Sequence, residues 1–252
     1  MIEAVCSSCK MVFHLENNME GKKATCKGCK NQFKIPGPIV YEDLQYDDVA
    51  PEITKTEISR SHPACMIFLI DQSKSMRQNF RSDGQKKDCV ADAVNRFLYN
   101  MAMRCTKGDG INDYFYVAIY GYGGSNQIKD VFEGLKSISW VAYNTKAIEK
   151  RKMTQKDNQG QTVTIECDFP IWLYPEAEGK TPMSDAFQKA YDTLLEWIKA
   201  RPESFPPIVV NITDGAYTDQ NPISIIKHIK KLRTDPGKVM IMNCHISGSN
   251  DP

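Results

Sequence analysis

Short apolar runs alternate with longer segments of helical periodicity over residues 61 to 252. The apolar runs predict buried strands, and the segments with apolar residues three and four apart predict amphipathic helices. Strands are predicted at 64–70, 114–120, 128–132, 208–212 and 239–246, and helices at about 88–104, 182–198 and 222–232. Thr181 is the expected N-cap of the second helix, with Pro182 at its first position. The alternation predicts a doubly wound α/β fold, in which helices cover both faces of a mostly parallel sheet.

The stretch between Trp140 and Gly179 has a different periodicity. Apolar and polar residues alternate from 163 to 169, which is the period of a strand, and Asp157-Asn158-Gln159-Gly160 indicates a turn before them. We therefore predict a β-hairpin insertion near 145–170. Its basic residues are Lys146, Lys150, Arg151, Lys152 and Lys156. The hairpin either overhangs the loop that carries Thr181 and selects a partner, or lies on the surface without a role in binding.

Two C-x-x-C pairs stand near the N-terminus, separated by sixteen residues. Each pair is followed at the same offset by a phenylalanine, Phe13 or Phe33, so the segment is a small internal repeat. Zn²⁺ prefers four ligands in a tetrahedron, and two such turns supply two thiolates each. The alternative, a thioredoxin-like redox pair, needs a βαβ context that is absent from this segment. The spacing predicts one structural Zn²⁺ held by Cys6, Cys9, Cys26 and Cys29.

The chain is expected to divide into three parts. A zinc ribbon covers 1–35. These are too few residues to fold without a metal ion or a cross-link, so zinc would supply most of the folding free energy. An acidic linker follows at 36–60. It begins with Pro36-Gly37-Pro38 and carries six acidic residues against Lys55 up to Ser59, which predicts a solvated tether. The main domain occupies 61–252.

Charge and hydropathy narrow the class of partner. The 252 residues carry a net charge of +1, so no overall field attracts nucleic acid or a membrane surface. The ribbon has six lysines and three glutamates, but four thiolates around one Zn²⁺ would leave it near +1, a weak footprint for phosphate. No stretch approaches the roughly 18 apolar residues of a membrane span, and the N-terminus lacks a signal-peptide pattern. We expect a cytoplasmic protein that binds neither membranes nor nucleic acid.

Three polar motifs lie at the ends of predicted elements. Asp71-Gln72-Ser73-Lys74-Ser75 follows the strand at 64–70, Thr213-Asp214-Gly215 follows the strand at 208–212, and Thr181-Pro182 opens a helix. The carboxyl ends of parallel strands meet at one edge, where open α/β sheets bind their ligands. Carboxylates and hydroxyls are hard oxygen ligands, which suit Mg²⁺, Mn²⁺ or Ca²⁺ and not zinc.

The order strand, D-x-S-x-S, helix, T-P, helix, strand, D-G resembles the von Willebrand factor A (VWA) domain, a Rossmann-like fold. In that family these positions form the metal-ion-dependent adhesion site, so the resemblance implies one divalent cation, Mg²⁺ or else Mn²⁺ or Ca²⁺. The ligands that it implies are Asp71, Ser73, Ser75, Thr181 and Asp214.

Three features depart from the usual pattern of that family or extend it. Lys74 stands where glycine is common. The chain stops at Pro252, before the C-terminal helix usual in the family, so that we expect either a truncated chain or a domain without that helix. A basic stretch from Arg77 to Lys87 either rims the site or forms a solvated loop, and we expect the solvated loop.

The stretches 205–215 and 179–183 look like those of bacterial VWA proteins of the TerY type. That resemblance implies a partner such as a metal-dependent Ser/Thr phosphatase or a protein kinase, in stress signalling or phage defence. A cation held by only two carboxylates remains electrophilic, and its open position favours an Asp or Glu from a partner protein. We therefore expect a non-enzymatic protein–protein interaction adaptor.

Three other functions remain as alternatives. A nucleic-acid-binding VWA and zinc-ribbon protein conflicts with the near-neutral charge. A metal-dependent hydrolase finds no support beyond the metal, since the sequence has no Ser-His-Asp elbow, P-loop or cluster of histidines. An accessory subunit of an AAA+ ATPase shares the binding mode of the adaptor and differs only in its partner.

Overall fold

The structure is a computed structural model that describes residues 2–6, 8–9, 11–15, 22–34, 56–80, 84–124, 127–156, 160–215 and 217–247. The predicted linker at 36–60 lies outside the described residues up to position 55, as do the turn at 157–159 and the C-terminal residues 248–252. In the described part of the chain, no helix combines the length and the apolar character needed to cross a membrane.

The cysteine-rich segment forms two small antiparallel hairpins. Their strands are β1 (Ile2–Val5), β2 (Val12–Leu15), β3 (Lys23–Thr25) and β4 (Gln32–Lys34). β1 pairs with β2, and β3 pairs with β4. Each hairpin carries one C-x-x-C pair between its strands, so the repeat in the sequence is also a repeat in the structure.

The main domain is built on one six-stranded sheet. Its strands and those of the smaller sheets are β5 (Ala64–Gln72), β6 (Thr106–Lys107), β7 (Gly110–Ile111), β8 (Phe115–Gly123), β9 (Gln127–Asp130), β10 (Lys136–Ser137), β11 (Ala147–Lys156), β12 (Thr162–Ile171), β13 (Phe205–Thr213) and β14 (Met240–His245). The main sheet has the order β10-β8-β5-β13-β14, with β9 also paired to β8. β8, β5, β13 and β14 are parallel, whereas β9 and β10 run antiparallel to β8. The predicted mostly parallel α/β sheet is confirmed.

Helices cover both faces of this sheet. They are α1 (Lys86–Cys105), α2 (Ile138–Tyr143), α3 (Met183–Ala200) and α4 (Ile223–Ile229). All nine residues of β5 are buried. Its even-numbered residues 66–70 belong to the core shared with α1 and α2, and its odd-numbered residues 65–69 to the core shared with α3 and α4. β5 is a continuous apolar run because both of its faces are covered.

Several predicted boundaries shift, and one predicted cap is wrong. The helix predicted at 222–232 is shorter, Ile223–Ile229. Thr181 does not cap α3, because the helix begins at Met183 with Pro182 at the N-cap and no side-chain cap there. The carboxylate of Asp219 accepts instead from the backbone N–H of Asp185 at 3.2 Å. A loop distant in sequence therefore satisfies the start of α3, which local sequence signals did not indicate.

The hairpin of β11 and β12 packs against α1. The two strands pair from Ala147 opposite Ile171 to Lys156 opposite Thr162. The Arg151 guanidinium pairs with the carboxylate of Asp92 on α1, and its carbon Cζ lies 3.8 Å from the centre of the Phe169 ring. Arg151 therefore serves to attach the hairpin to the domain, while a role of the hairpin in partner selection stays a prediction.

Candidate functional site

The ends of β5 and β13 place a carboxylate and a hydroxyl side by side. Asp71 is the second-last residue of β5, Thr213 is the last residue of β13, and the two strands are parallel neighbours. The Thr213 hydroxyl donates to Asp71 Oδ2 at 2.7 Å, and the Ser73 backbone N–H donates to Asp71 Oδ1 at 2.9 Å. Both oxygens of this buried carboxylate are thus held in place by the protein itself.

A chain of hydrogen bonds leads from this point to the second aspartate. Ser75 lies in a short 3-10 helix, Lys74–Arg77, that begins directly after Ser73. The hydroxyls of Ser73 and Ser75 lie 3.0 Å apart, and Ser75 Oγ donates to Asp214 Oδ1 at 2.7 Å. Four of the five predicted ligand residues, Asp71, Ser73, Ser75 and Asp214, therefore meet at the carboxyl edge of the sheet.

The segment that carries Thr181 is tied to the same edge through its backbone. The Glu178 N–H donates to the Gln72 carbonyl at 2.7 Å, and the Lys74 N–H donates to the Gly179 carbonyl at 3.3 Å. Thr181 lies two residues beyond this attachment. The fifth predicted residue is therefore held beside the loop that follows β5.

Two further contacts fix the position of Thr181, which is itself buried. Gly179 has φ +67°, and a Cβ at this position would lie 1.7 Å from the Gly124 carbonyl oxygen. Only glycine therefore permits the close approach of these two backbone segments. The Thr181 N–H donates to the Thr218 hydroxyl at 2.8 Å, and the Thr218 N–H donates to the Thr181 carbonyl at 3.0 Å. Thr218, from the loop after β13, thus clamps the backbone of Thr181.

A buried lysine contacts the second aspartate. Lys86 Nζ donates to Asp214 Oδ2 at 2.8 Å and to Gln78 Oε1 at 3.0 Å. The side chains of Lys86 and Asp214 are only 6% and 1% exposed. The expectation that the stretch from Arg77 to Lys87 forms a solvated loop is wrong for Lys86, because the first turn of α1 brings it under the site.

The two carboxylates differ in their surroundings. Burial raises the pKa of Asp71 from 3.8 to about 6, with hydrogen bonds from Ser73 and Thr213 opposing the shift and the nearby Asp214 adding to it. Asp214 has a cationic partner in Lys86, whereas the bonded partners of Asp71 are a backbone N–H and two neutral hydroxyls. An added cation would relieve the cost of ionising Asp71.

Three residues of the site were not identified as functional from the sequence. Thr213 orients Asp71, Thr218 clamps Thr181, and Lys86 neutralises Asp214. Thr213 carries a weak signal, since it lies within the Thr213-Asp214-Gly215 motif. Lys86 carries only the basic stretch from Arg77 to Lys87, which offered a rim of the site as the less favoured interpretation, and Thr218 carries no signal. The roles of these two residues depend on contacts 128 and 37 residues away in the chain.

The four cysteines of the two hairpins form one cluster. Their Sγ atoms all lie within 4.8 Å of one another, with 3.6 Å between Cys6 and Cys29 and 3.4 Å between Cys9 and Cys26. With Zn–S bonds of about 2.3 Å, a tetrahedral site places its sulfurs about 3.8 Å apart. The cluster could hold a metal ion and is consistent with a small zinc ribbon.

Backbone N–H groups lower the pKa of two thiols of the cluster, Cys6 and Cys26. The N–H of Cys6 donates to the Met11 carbonyl and the N–H of Cys26 to the Asn31 carbonyl, both at 2.9 Å, so the two turns have the same shape. A backbone N–H of Cys9 directed at the Cys6 sulfur lowers the pKa of Cys6 to about 6. The thiolate is the form that ligates metals, and the environment of Cys6 favours it. At Cys29 a backbone N–H of Asn31 acts in the same direction, but burial and hydrogen bonds with the other three thiols outweigh it and raise the pKa to about 12.

Comparisons with known proteins return little. No protein-family model and no curated protein matches this chain. A solved structure that matches is the pilus adhesin (RrgA) from Streptococcus pneumoniae, with 16% sequence identity and a TM-score of 0.34. The match covers 66% of this chain and 21% of the adhesin, so the chain spans about a fifth of that protein's length. At this TM-score the likeness supports no conclusion about fold or function.

Proposed function

We propose that this protein is a non-enzymatic adaptor that docks an acidic partner protein through a divalent cation, Mg²⁺ in the cell, while its N-terminal ribbon binds a structural Zn²⁺. One observation carries the proposal for the main domain. Hydrogen bonds from Thr213 through Asp71, Ser73 and Ser75 to Asp214 gather the oxygens of two strand ends at one point.

The donor set fits a hard divalent cation by its chemistry. Asp71, Ser73, Ser75, Thr181 and Asp214 would hold the ion, and all of them offer oxygen. When bound, the cation would supply an electrophilic position open to a carboxylate of the partner. The protein fixes the ligands in advance, since Thr213 and the Ser73 backbone orient Asp71, and Ser75 is already bonded to Asp214.

The contacts of the serines support binding in preference to catalysis. A serine nucleophile needs a nearby general base to accept its proton. Ser75 donates to Asp214, but the same carboxylate is neutralised by the Lys86 ammonium 2.8 Å away. Both oxygens of Asp214 are therefore already engaged, Oδ1 by Ser75 and Oδ2 by Lys86. The hydroxyls of Ser73 and Ser75 therefore suit the role of ligands better than that of nucleophiles.

The proposed partner comes from the resemblance to VWA proteins of the TerY type, and the proposed compartment from the absence of a signal-peptide pattern in the sequence. A cytoplasmic metal-dependent Ser/Thr phosphatase or protein kinase that presents an Asp or Glu to the cation is the partner we propose, in bacterial stress or phage-defence signalling. The ribbon would then provide a second docking surface.

The first test is cation binding by isothermal titration calorimetry with Mg²⁺ and Mn²⁺. Wild type is expected to bind one ion, and Asp71→Ala and Ser75→Ala are expected to lose most of the affinity. Asp109→Ala, at an exposed carboxylate in the β6–β7 turn, is the matched control and should bind as wild type does. Equal binding by wild type and Asp71→Ala, or no binding by either, would contradict the proposal.

The second test is capture of a partner in the presence of Mg²⁺. Wild type and the double variant Asp71→Ala/Asp214→Ala serve as baits in lysate of the native host, and EDTA is avoided because it also strips zinc. The captured protein is then purified, and its binding is titrated against Mg²⁺ concentration. The proposal expects binding that requires Mg²⁺ and that is lost in the double variant. Binding should also be lost when the contacting Asp or Glu of the partner is replaced by its amide. Equal recovery on both baits would refute metal-dependent docking.

A further inference from the structure

The cluster of oxygens contains one side chain that no cation site requires. Lys86, the first residue of α1, places its ammonium 2.8 Å from Asp214 Oδ2 and 3.0 Å from Gln78 Oε1. Its backbone N–H also donates to the Gln78 carbonyl at 2.9 Å. Two hydrogen bonds thus hold the ammonium in place, and a third ties the backbone at the start of α1 to Gln78.

The position of Lys86 is unfavourable in two respects unless it serves Asp214. A cation in the first turn of a helix opposes the helix dipole. An ammonium 6% exposed also loses its hydration. Its neighbour Lys87 lies in the same turn, stays partly exposed and pairs with the carboxylate of Asp88 at 3.4 Å. Lys86 is therefore held inside by the charge of Asp214.

The charges at the site change in sequence as ligands arrive. Without a cation, the two carboxylates and Lys86 together carry a charge of −1. A divalent cation would change this to +1, and a carboxylate from a partner would bring it to zero. Without the lysine the same steps would run from −2 through zero to −1. Lys86 therefore opposes the cation alone and favours the cation together with an anionic ligand.

We propose that Lys86 is a built-in counter-ion that couples the two binding events, so that the site binds its cation more tightly once an acidic partner supplies a carboxylate. This inference rests on the proposed cation site and adds its regulation. Lys86 is a positioning residue, since it acts through Asp214. In the absence of a cation it also stabilises the folded site by neutralising a buried carboxylate.

The test measures Mn²⁺ affinity by electron paramagnetic resonance, with sodium acetate as the carboxylate probe and sodium chloride at equal ionic strength as its control. Lys86→Met removes the charge with little change in length, Lys86→Gln also keeps a hydrogen-bond donor, and Lys86→Arg keeps the charge. Lys87→Met is the matched control at the neighbouring lysine. Folding of each variant is checked by circular dichroism, and thermal stability is measured without Mn²⁺.

Lys86→Met and Lys86→Gln are expected to bind Mn²⁺ at least about tenfold more tightly than wild type in chloride. Acetate should raise the Mn²⁺ affinity of wild type, Lys86→Arg and Lys87→Met, and raise that of the two neutral variants much less. The neutral variants should also be less stable without Mn²⁺ and recover stability when it is added. If Lys86→Met does not fold, Lys86→Gln decides the result.

The coupling would be overturned, with the cation site left intact, if Lys86→Met and Lys86→Gln bound Mn²⁺ with the same affinity as wild type. It would also be overturned if acetate raised the Mn²⁺ affinity of these variants as much as it raises that of wild type. Failure of the proposed function gives a different result. In that case neither wild type nor the neutral variants would bind Mn²⁺ in a manner that Asp71→Ala abolishes.

Discussion

Replacing Asp71 by asparagine is expected to stabilise the protein in the absence of a divalent cation. Asp71 is 1% exposed, and its carboxylate is hydrogen-bonded by the Ser73 backbone N–H and by the hydroxyls of Ser73 and Thr213. Asparagine has the same shape and keeps an oxygen to accept from the Ser73 N–H. Its amide can donate to Thr213 Oγ1, whose hydroxyl can turn to the Gly215 carbonyl 3.3 Å away. The variant thus removes a buried charge and leaves each polar group a partner.

The magnitude follows from the pKa of Asp71. Burial raises it from 3.8 to about 6, a difference of about two units, which corresponds to about 3 kcal/mol at about 1.4 kcal/mol per unit. A carboxyl whose pKa is higher in the folded than in the unfolded state favours folding only while it is protonated. Wild type therefore loses this contribution as pH rises from about 4 to about 6, whereas Asp71→Asn does not.

The assay is urea denaturation at a series of pH values, followed by tryptophan fluorescence with no divalent cation added. The three tryptophans, Trp140, Trp172 and Trp197, all lie in the main domain, so the ribbon does not contribute to the signal. The difference in unfolding free energy between Asp71→Asn and wild type should be small near pH 4 and reach about 3 kcal/mol above pH 7. Mg²⁺ should stabilise wild type and leave Asp71→Asn unchanged.

The exposed carboxylate of Asp109 provides the control for the buried one of Asp71. Asp109→Asn, at an exposed carboxylate, should change the unfolding free energy by less than about 0.5 kcal/mol at every pH. A difference for Asp71→Asn that does not vary with pH, or a loss of stability above pH 6, would refute the argument that burial of this carboxylate is what costs the fold.

Three further perturbations test the parts that support the site and the ribbon. Gly179→Ala should destabilise the main domain by more than about 2 kcal/mol in urea denaturation, because its Cβ would meet the Gly124 carbonyl. Gly160→Ala is the control and should cost only about 1 kcal/mol, since Gly160 also has a positive φ, +77°, but open space around its Cβ. Equal losses of stability in the two variants would refute the steric argument. Asn95→Ala removes three hydrogen bonds to the backbone just after β12 and should cost about 3 to 5 kcal/mol by the same assay, with a loss under about 1 kcal/mol as the contrary result. Cys26→Ser, or removal of zinc, should abolish the dispersed amide proton resonances of residues 2–34 in NMR spectra while tryptophan fluorescence is unchanged, and a folded ribbon without metal would show that its small core suffices.

Periodicity was enough to locate the main elements of the sheet. The apolar run at 64–70 predicted the central strand because a strand covered on both faces has to be apolar throughout, and all of β5 is buried. The third strand was placed by the same signal, but its antiparallel direction as β9 was not. Direction depends on how the chain returns to the sheet edge, which hydrophobic periodicity does not record.

The sequence by itself determined which metal-binding side chains the chain offers: paired cysteines, whose thiolates suit zinc, and carboxylates and hydroxyls at strand ends, which would suit a hard cation. These assignments need only residue type, spacing and the rule that parallel strands end at a common edge. The tertiary structure alone decided how the oxygens are held. Lys86 reaches Asp214 across 128 residues, and Thr218 rather than the start of α3 fixes Thr181. Such contacts form between chain segments brought together by packing of the whole core, so no local pattern in the sequence encodes them.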